Sequence, residues 1–165
     1  MKPKVFILMG SDSDLPIMEE SARTLEGFGI PYVMTIASAH RTPGRTRTLI
    51  EEAETSGVQV IIAGAGMAAH LPGVVASYTT LPVIGVPLDA SPLNGMDALL
   101  SIVQMPPGIP VATVSIGKPG ARNAAILAAQ IIAGRDKGVA KKLLAHRAKM
   151  HEEVEEKARK FQRNG

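Results

Sequence analysis

The sequence contains no cysteine and no tryptophan, and its aromatic residues are two tyrosines and three phenylalanines. Without cysteine there is no disulfide framework, iron–sulfur cluster, thiolate zinc site or thiol nucleophile. So few aromatic rings also argue against a surface that stacks nucleic-acid bases. No two of the four histidines, at positions 40, 70, 146 and 151, have the spacing of a zinc-binding helix. We therefore expect neither a metal nor any other cofactor.

Long apolar runs are also missing. The longest stretch, residues 60–69, is built largely from glycine and alanine, and no segment reaches the roughly 20 apolar residues that cross a bilayer. The short apolar run at residues 5–9 does not have the length or flanks of a signal peptide. The expectation is a cytoplasmic protein without a membrane partner.

Positive charge is scarce outside the C-terminal region. The formal net charge is +3, yet residues 134–165 hold 10 Lys+Arg and 5 Asp+Glu, whereas residues 1–133 hold 8 and 10. The basic excess therefore belongs to a tail, and the rest of the chain is slightly acidic. Together with the shortage of aromatic residues, this argues against a nucleic-acid partner.

Strand and helix patterns alternate along residues 1–133. Apolar runs predict strands at 4–9, 32–38, 58–63, 82–86 and 111–116. Helical spacing predicts helices over 15–28, 43–56, 67–78, 94–103 and 120–133. This alternation is typical of an α/β protein, here a flavodoxin-like three-layer fold with a five-stranded parallel sheet. The strand order is not readable from the pattern; 2-1-3-4-5 is the commoner order at this size.

The tail, residues 134–165, is predicted to be a helical extension. One helix over 139–163 would carry an apolar stripe of Val139, Leu143, Met150, Val154 and Phe161. Its length would be about 37 Å, which is long for a domain of this size. Such a stripe has to pack against something: the helix's own domain or, as we favour, a neighbouring subunit.

Three predicted strand-to-helix loops carry chemistry, because ligands of open α/β sheets bind at the carboxyl ends of the strands. In the first loop, Ser11 and Ser13 offer hydroxyls and the following helix offers free amides, which suits a phosphate. Asp14 can cap the helix or accept hydrogen bonds from a sugar. The alternative is that these residues are merely caps.

The second loop holds His40 and Arg41. Arg41 provides a forked cation for phosphate or carboxylate. His40 lies beside a predicted helix start, whose positive dipole end favours a neutral imidazole that can act as base or donor. Thr42 is expected to cap that helix, with Pro43 in its first turn.

The third loop, residues 64–73, reads G-A-G-M-A-A-H-L-P-G and matches neither standard nucleotide-phosphate motif. Its small residues let a planar ligand approach the main chain. His70 can bond to backbone, ligand or His40, or be structural. Ser38, Gly66, Met67 and Leu71 complete the candidate substrate-binding residues. The residues alone thus indicate a small phosphorylated ligand, a ribonucleotide, held beside a histidine for acid/base chemistry.

Two further segments carry weaker signals. Residues 87–94 follow the fourth strand and are interpreted as a lid or a subunit contact. Residues 104–108, Q-M-P-P-G, are rich in turn formers and are predicted to be loop.

Four motifs give a specific resemblance. They are G-S-D-S-D-L at 10–15, S-A-H-R-T-P at 38–43, the 64–73 loop and S-I-V-Q-M-P-P-G-I-P-V-A-T at 101–113. They resemble the signature blocks of the class I 5-(carboxyamino)imidazole ribonucleotide mutases, the PurE family of purine biosynthesis. The likeness covers about residues 4–133.

The resemblance implies an intramolecular carboxylate shift from the exocyclic nitrogen to a ring carbon, giving 4-carboxy-5-aminoimidazole ribonucleotide. Carbon dioxide would be released and recaptured in a closed pocket, with His40 transferring protons and His70 as the second family histidine near the pocket. Ser11, Asp14 and Arg41 match the family's substrate-binding positions, and Ser13 is a further candidate for the phosphate. The family also implies a homo-octamer in which the C-terminal helix reaches a neighbour.

One residue departs from the family pattern. Met67 stands where the motif leads us to expect a second glycine, so its side chain would either narrow the pocket or turn away into packing. Two alternative functions stay open: the related carboxylase, which uses free carbon dioxide, and a non-catalytic flavodoxin-like module that binds a phosphorylated ligand or flavin.

Overall fold

The computed structural model describes residues 2–162 and contains five strands and six α-helices within them. In chain order these are β1 (Val5–Met9), α1 (Leu15–Phe28), β2 (Tyr32–Ile36), α2 (Pro43–Ser56), β3 (Val60–Gly66), α3 (Leu71–Tyr78), β4 (Val83–Leu88), α4 (Met96–Val103), β5 (Ala112–Thr113), α5 (Gly117–Ala133) and α6 (Lys137–Gln162). One turn of 3-10 helix, Asp12–Asp14, precedes α1.

The strands form one parallel sheet in the order β2-β1-β3-β4-β5. This confirms the predicted α/β architecture and the commoner strand order. β1 and β4 are buried along their whole length, and β3 is buried up to Ala65, because helices cover both faces of the sheet. The carboxyl ends of β1, β3 and β2 therefore meet at one edge, in adjacent positions.

Two apolar cores lie on opposite faces of the sheet. One includes residues of α1 and α5, and the other residues of α2, α3 and α4. Alanines along the buried face of α5 let α1 approach closely, and the Ser21 hydroxyl donates to the carbonyl of Ala121 at 2.7 Å. The sheet is thereby fixed from both sides, and the loops at its carboxyl edge rest on a rigid base.

Several element bounds differ from the predicted ones. β3 continues through Gly64 and Ala65, which lie opposite Val86 and Pro87 of β4, although glycine and alanine disfavour strands. Neighbouring strands on both sides override the local preference. At the sheet edge β5 shrinks to two residues, because it pairs only with β4 through Ala112 and Thr113.

The long helix α6 contacts its own domain through its first turns. Lys4 pairs with Asp136 just before the helix at 2.8 Å, Val139 is buried, and the Lys142 ammonium donates to the Phe28 carbonyl at 2.7 Å. Farther along, Val154 and Phe161 are 63% and 84% exposed. The outer half of the stripe therefore does not lie across its own domain. None of the helices within residues 2–162 combines the length and apolarity that a membrane span requires.

Candidate functional site

A cavity of about 450 Å³ opens at the carboxyl edge of the sheet, between the loops that follow β1, β2 and β3. Every predicted site residue except His70 lines it. The full lining consists of Gly10, Ser11, Ser13, Asp14, Ser38, Ala39, His40, Arg41, Gly64, Ala65, Gly66, Met67, Ala69, Leu71 and Ala90. The three candidate loops, separated along the chain, thus share one pocket.

In the first loop, the Asp14 carboxylate organises the backbone. Its Oδ2 accepts hydrogen bonds from the amides of Gly10 and Ser11 at 3.1 and 3.0 Å, and Ser11 caps the 3-10 turn in return. Burial raises the pKa of Asp14 above its usual value, although these amide bonds and the charge of Arg41 act in the opposite direction. Ser11 and Asp14 thus form a capping box around the 3-10 turn, whereas the predicted cap of α1 by Asp14 is wrong, because its side chain makes no cap bond to that helix. Contact of Asp14 with a sugar stays a prediction.

Three hydrogen bonds hold Arg41 in place. Its Nη2 donates to the Gly10 carbonyl at 2.8 Å, and its Nε and backbone amide donate to the Ser38 hydroxyl at 3.4 and 3.2 Å. The guanidinium thus bridges the first and second loops. Because the side chain is exposed and already oriented, the site presents a positive charge to the cavity with little ordering still required.

His40 is exposed at the tip of the second loop. Among the hydrogen bonds of residues 2–162 none involves its ring, so both ring nitrogens are without a protein partner at the cavity wall. The expected cap of α2 is wrong: the Thr42 hydroxyl donates to the Ser38 carbonyl and accepts from the Ser38 amide, instead of capping the helix amides. That bond closes the turn which carries His40, while Pro43 begins the helix as predicted.

Met67 lies on the cavity wall with its side chain 61% exposed, so the alternative that it turns away into packing is wrong. Its backbone φ is +53°, in the left-handed region that favours glycine. The backbone therefore explains why the motif leads us to expect glycine at this position: the turn after β3 requires it, and methionine occupies it at a cost of strain.

His70 does not line the cavity that His40 lines. It lies at the start of α3, and its Nε2 is 3.0 Å from the sulfur of Met105. Gly73 makes room for the ring, since a Cβ there would overlap Nε2. Burial lowers the pKa of His70, which favours the neutral ring. Of the possible partners considered for His70, neither backbone nor His40 bonds to it in the described chain.

The cavity also contains small residues beyond the named candidates, among them Gly64, Ala65 and Ala90. Gly64 and Ala65 belong to the third candidate loop of the prediction, and the structure places them in β3 instead. The signal that identifies Ala90 is its position, two residues beyond the carboxyl end of β4. Nothing in the sequence predicts a contact between Met105 and His70, and Met105 appears there only as part of the 101–113 motif.

Comparison with known proteins gives a consistent result. A protein from Pyrococcus horikoshii named N5-carboxyaminoimidazole ribonucleotide mutase is 57% identical over 99% of this chain and 92% of its own length. One of the same name from Thermotoga maritima is 56% identical over 99% of this chain and 94% of its own. A phosphoribosylaminoimidazole carboxylase from Saccharomyces cerevisiae is 50% identical over all of this chain, which spans 28% of that protein.

Among solved structures, PurE of Treponema denticola superposes with a TM-score of 0.87 at 33% identity, covering 96% of this chain and 98% of that one. The family model described as AIR carboxylase matches residues 4–153. The match spans the sheet, all three cavity loops and the first part of α6. On these findings the chain belongs to the PurE/AIR carboxylase family.

Proposed function

We propose that the protein is an N5-carboxyaminoimidazole ribonucleotide mutase of purine biosynthesis, acting in the cytoplasm without a cofactor. The observation that carries the proposal is that His40, Arg41 and the Ser11–Asp14 turn line one cavity, at the edge where open α/β sheets bind ligands. The high identity to mutases over nearly the full chain supports the same reaction.

The ribonucleotide is bound through its phosphate. Ser11 and Ser13 offer hydroxyls at the cavity wall, and the oriented guanidinium of Arg41 adds a positive charge from the next loop. The aminoimidazole ring then lies against Gly66 and neighbouring small residues of the third loop, where the main chain is accessible. This arrangement accounts for a site without aromatic side chains.

The reaction needs one proton to be donated to the substrate and one to be removed from it. Breaking the bond between the exocyclic nitrogen and the carboxylate carbon releases carbon dioxide, and the nitrogen gains a proton. The ring carbon then attacks carbon dioxide, forms the new carbon–carbon bond and loses its proton. His40, with both ring nitrogens free at the cavity, serves as donor in the first half and acceptor in the second. A single histidine closes the cycle with no net proton change.

Retention of carbon dioxide favours a small enclosed site. Part of the cavity wall is built from Ala39, Ala65 and Ala69, whose apolar side chains offer water no hydrogen bonds. Proximity then replaces a collision from solution, since the released molecule stays beside the ring carbon.

The related carboxylase is the second candidate, because the family model and the yeast relative carry that name. To decide, the purified full chain is given either the carboxyamino substrate or aminoimidazole ribonucleotide with bicarbonate, and formation of 4-carboxy-5-aminoimidazole ribonucleotide is followed. The mutase proposal predicts efficient turnover of the first. Efficient turnover only in the second assay identifies a carboxylase, and binding without turnover in both identifies a non-catalytic module.

We further propose that the protein is a homo-oligomer, an octamer as the family resemblance implies. The outer half of α6 supports this, because Met150, Val154 and Phe161 are exposed on one long helix that its own domain does not cover. Ending the chain after Ala133 should therefore lower the number of subunits, which is the mass from light scattering divided by the mass of the shortened chain. An unchanged number of subunits would show that α6 does not join them.

A further inference from the structure

We propose that Met105 is a positioning residue that holds the neutral His70 ring in its Nε2–H tautomer, leaving Nδ1 as a hydrogen-bond acceptor. The consequence of this inference rests on the proposed function: His40 transfers protons, and His70 does not. The tautomer itself follows from the contacts of the chain alone.

The contact between His70 and Met105 determines which atom donates. The Nε2 of His70 lies 3.0 Å from the Met105 sulfur. A thioether sulfur has no proton to give and is only a weak acceptor, so a hydrogen bond at this position requires the nitrogen to be the donor. The proton of a neutral His70 ring therefore belongs on Nε2.

The His70 ring is also confined by α3. Gly73, one turn into α3, has no side chain, and a Cβ there would overlap Nε2. The ring thus occupies the space that any other residue at position 73 would fill. Its edge is held between the backbone of α3 on one side and the Met105 sulfur on the other, which fixes its orientation as well as its tautomer.

A second tether joins the same two segments. The Ser101 hydroxyl of α4 donates to the carbonyl of Ala68 at 3.1 Å, two residues before His70. Ser101 and Met105 are four residues apart, and the Met105 amide bonds to the Val103 carbonyl at 3.1 Å as the chain leaves the helix. The start of the 101–113 motif, which lies outside the cavity, thereby braces the loop that forms the cavity wall.

The remaining ring nitrogen is left without a partner. Nδ1 of His70 is buried and accepts no hydrogen bond from the described residues. Burial also lowers the pKa of His70, which disfavours protonation of Nδ1.

The experiment is solid-state 15N NMR on the full chain labelled at histidine, which reports tautomers in assemblies of any size. The spectrum of His70→Asn identifies the His70 signals. At neutral pH and without substrate, the wild-type protein should show a protonated Nε2 and an unprotonated Nδ1. The opposite tautomer, or an equal mixture, would overturn the proposal whether or not the protein is a mutase.

Met105→Leu tests the role of the sulfur, because leucine keeps most of the volume and removes the acceptor. The ratio of the two His70 tautomers should change at least tenfold, and kcat should fall while the Kd of the product nucleotide stays within about twofold. Met96→Leu, an exposed methionine on α4, is the matched control and should change neither. A wild-type tautomer ratio in Met105→Leu would show that the sulfur does not set the tautomer.

Discussion

The two histidine loops differ in whether the protein itself contacts the ring nitrogens of the histidine. His40 is exposed on a turn whose hydrogen bonds come from Ser38, Arg41 and Thr42, and its own ring is left free. His70 is half-buried, in contact with a sulfur and confined by a glycine. A residue that must both give and take a proton needs free ring nitrogens, as in His40. A residue that braces the pocket loop needs a fixed ring, as in His70.

The largest effect should come from removing the free histidine. His40→Asn keeps a hydrogen-bonding side chain of similar reach but cannot accept and return the proton, so turnover should fall about 100- to 10,000-fold. Binding of the product nucleotide should stay within about tenfold, roughly 1.4 kcal/mol. Steady-state kinetics and calorimetry give the two values.

His151→Asn, an exposed histidine on α6, controls for loss of an imidazole as such. Its activity should match the wild type. If His40→Asn also retains near-normal turnover, the contrast between the two loops has no catalytic meaning.

Arg41→Ala should be the next largest change. It removes a charge-assisted contact, about 1.5–3 kcal/mol, so the nucleotide should bind roughly 10- to 100-fold more weakly. Arg47→Ala is the control, because Arg47 is exposed on α2 and pairs with Glu51 away from the cavity. Titration calorimetry compares them, and equal affinities for the two variants would remove Arg41 from the phosphate site.

Gly73→Ala disturbs the confined loop while leaving both histidines in the sequence. The new Cβ overlaps the His70 ring and forces it to move, which should lower the free energy of unfolding by about 1–3 kcal/mol. Alanine is the better helix former by roughly 0.5–1 kcal/mol, so the steric term has to exceed that gain.

Gly27→Ala measures the gain in helix propensity alone, since a Cβ at Gly27 in α1 meets open space. It should be neutral or stabilising in urea unfolding. A Gly73→Ala protein that is equally stabilised would mean that the ring adapts at no cost.

Met67→Gly should produce the smallest change, and a favourable one. Relief of the left-handed backbone at φ +53° favours glycine by about 1–2 kcal/mol, and the greater freedom of glycine in the unfolded chain offsets roughly 0.5–1 of that. A net gain of about 0.5–1 kcal/mol is expected from denaturant unfolding.

Asn94→Gly is the matched comparison, because Asn94 also has a positive φ, 51°, but asparagine tolerates this conformation. Its gain should be smaller than that of Met67→Gly. Equal gains would indicate that methionine is not specially strained at the cavity wall.

The sequence was most informative where apolar periodicity and turn residues agreed. Strands buried on both faces and helices that end at Gly29 or Gly57 were predicted with nearly the observed bounds, because burial and left-handed turns act locally. The cavity followed from the same pattern, since parallel strands bring their carboxyl ends to one edge. His40 and Arg41 were found because they are unusual residue types at that edge.

Other features depend on contacts between distant residues. The extension of β3 through Gly64 and Ala65 comes from pairing with β4, against local propensity. The binding of Thr42 to Ser38 instead of to α2, and the contact of Met105 with His70, require knowledge of which segments meet. No periodicity encodes such partnerships, so the sequence does not show what holds His70.

The most direct test of the account is a crystal structure of the full chain with 4-carboxy-5-aminoimidazole ribonucleotide bound. The account predicts the phosphate at Ser11, Ser13 and Arg41, and a ring nitrogen of His40 about 3–3.5 Å from the carbon that carries the carboxylate. A complex in which His40 points to solvent, with another group at that carbon, would contradict it.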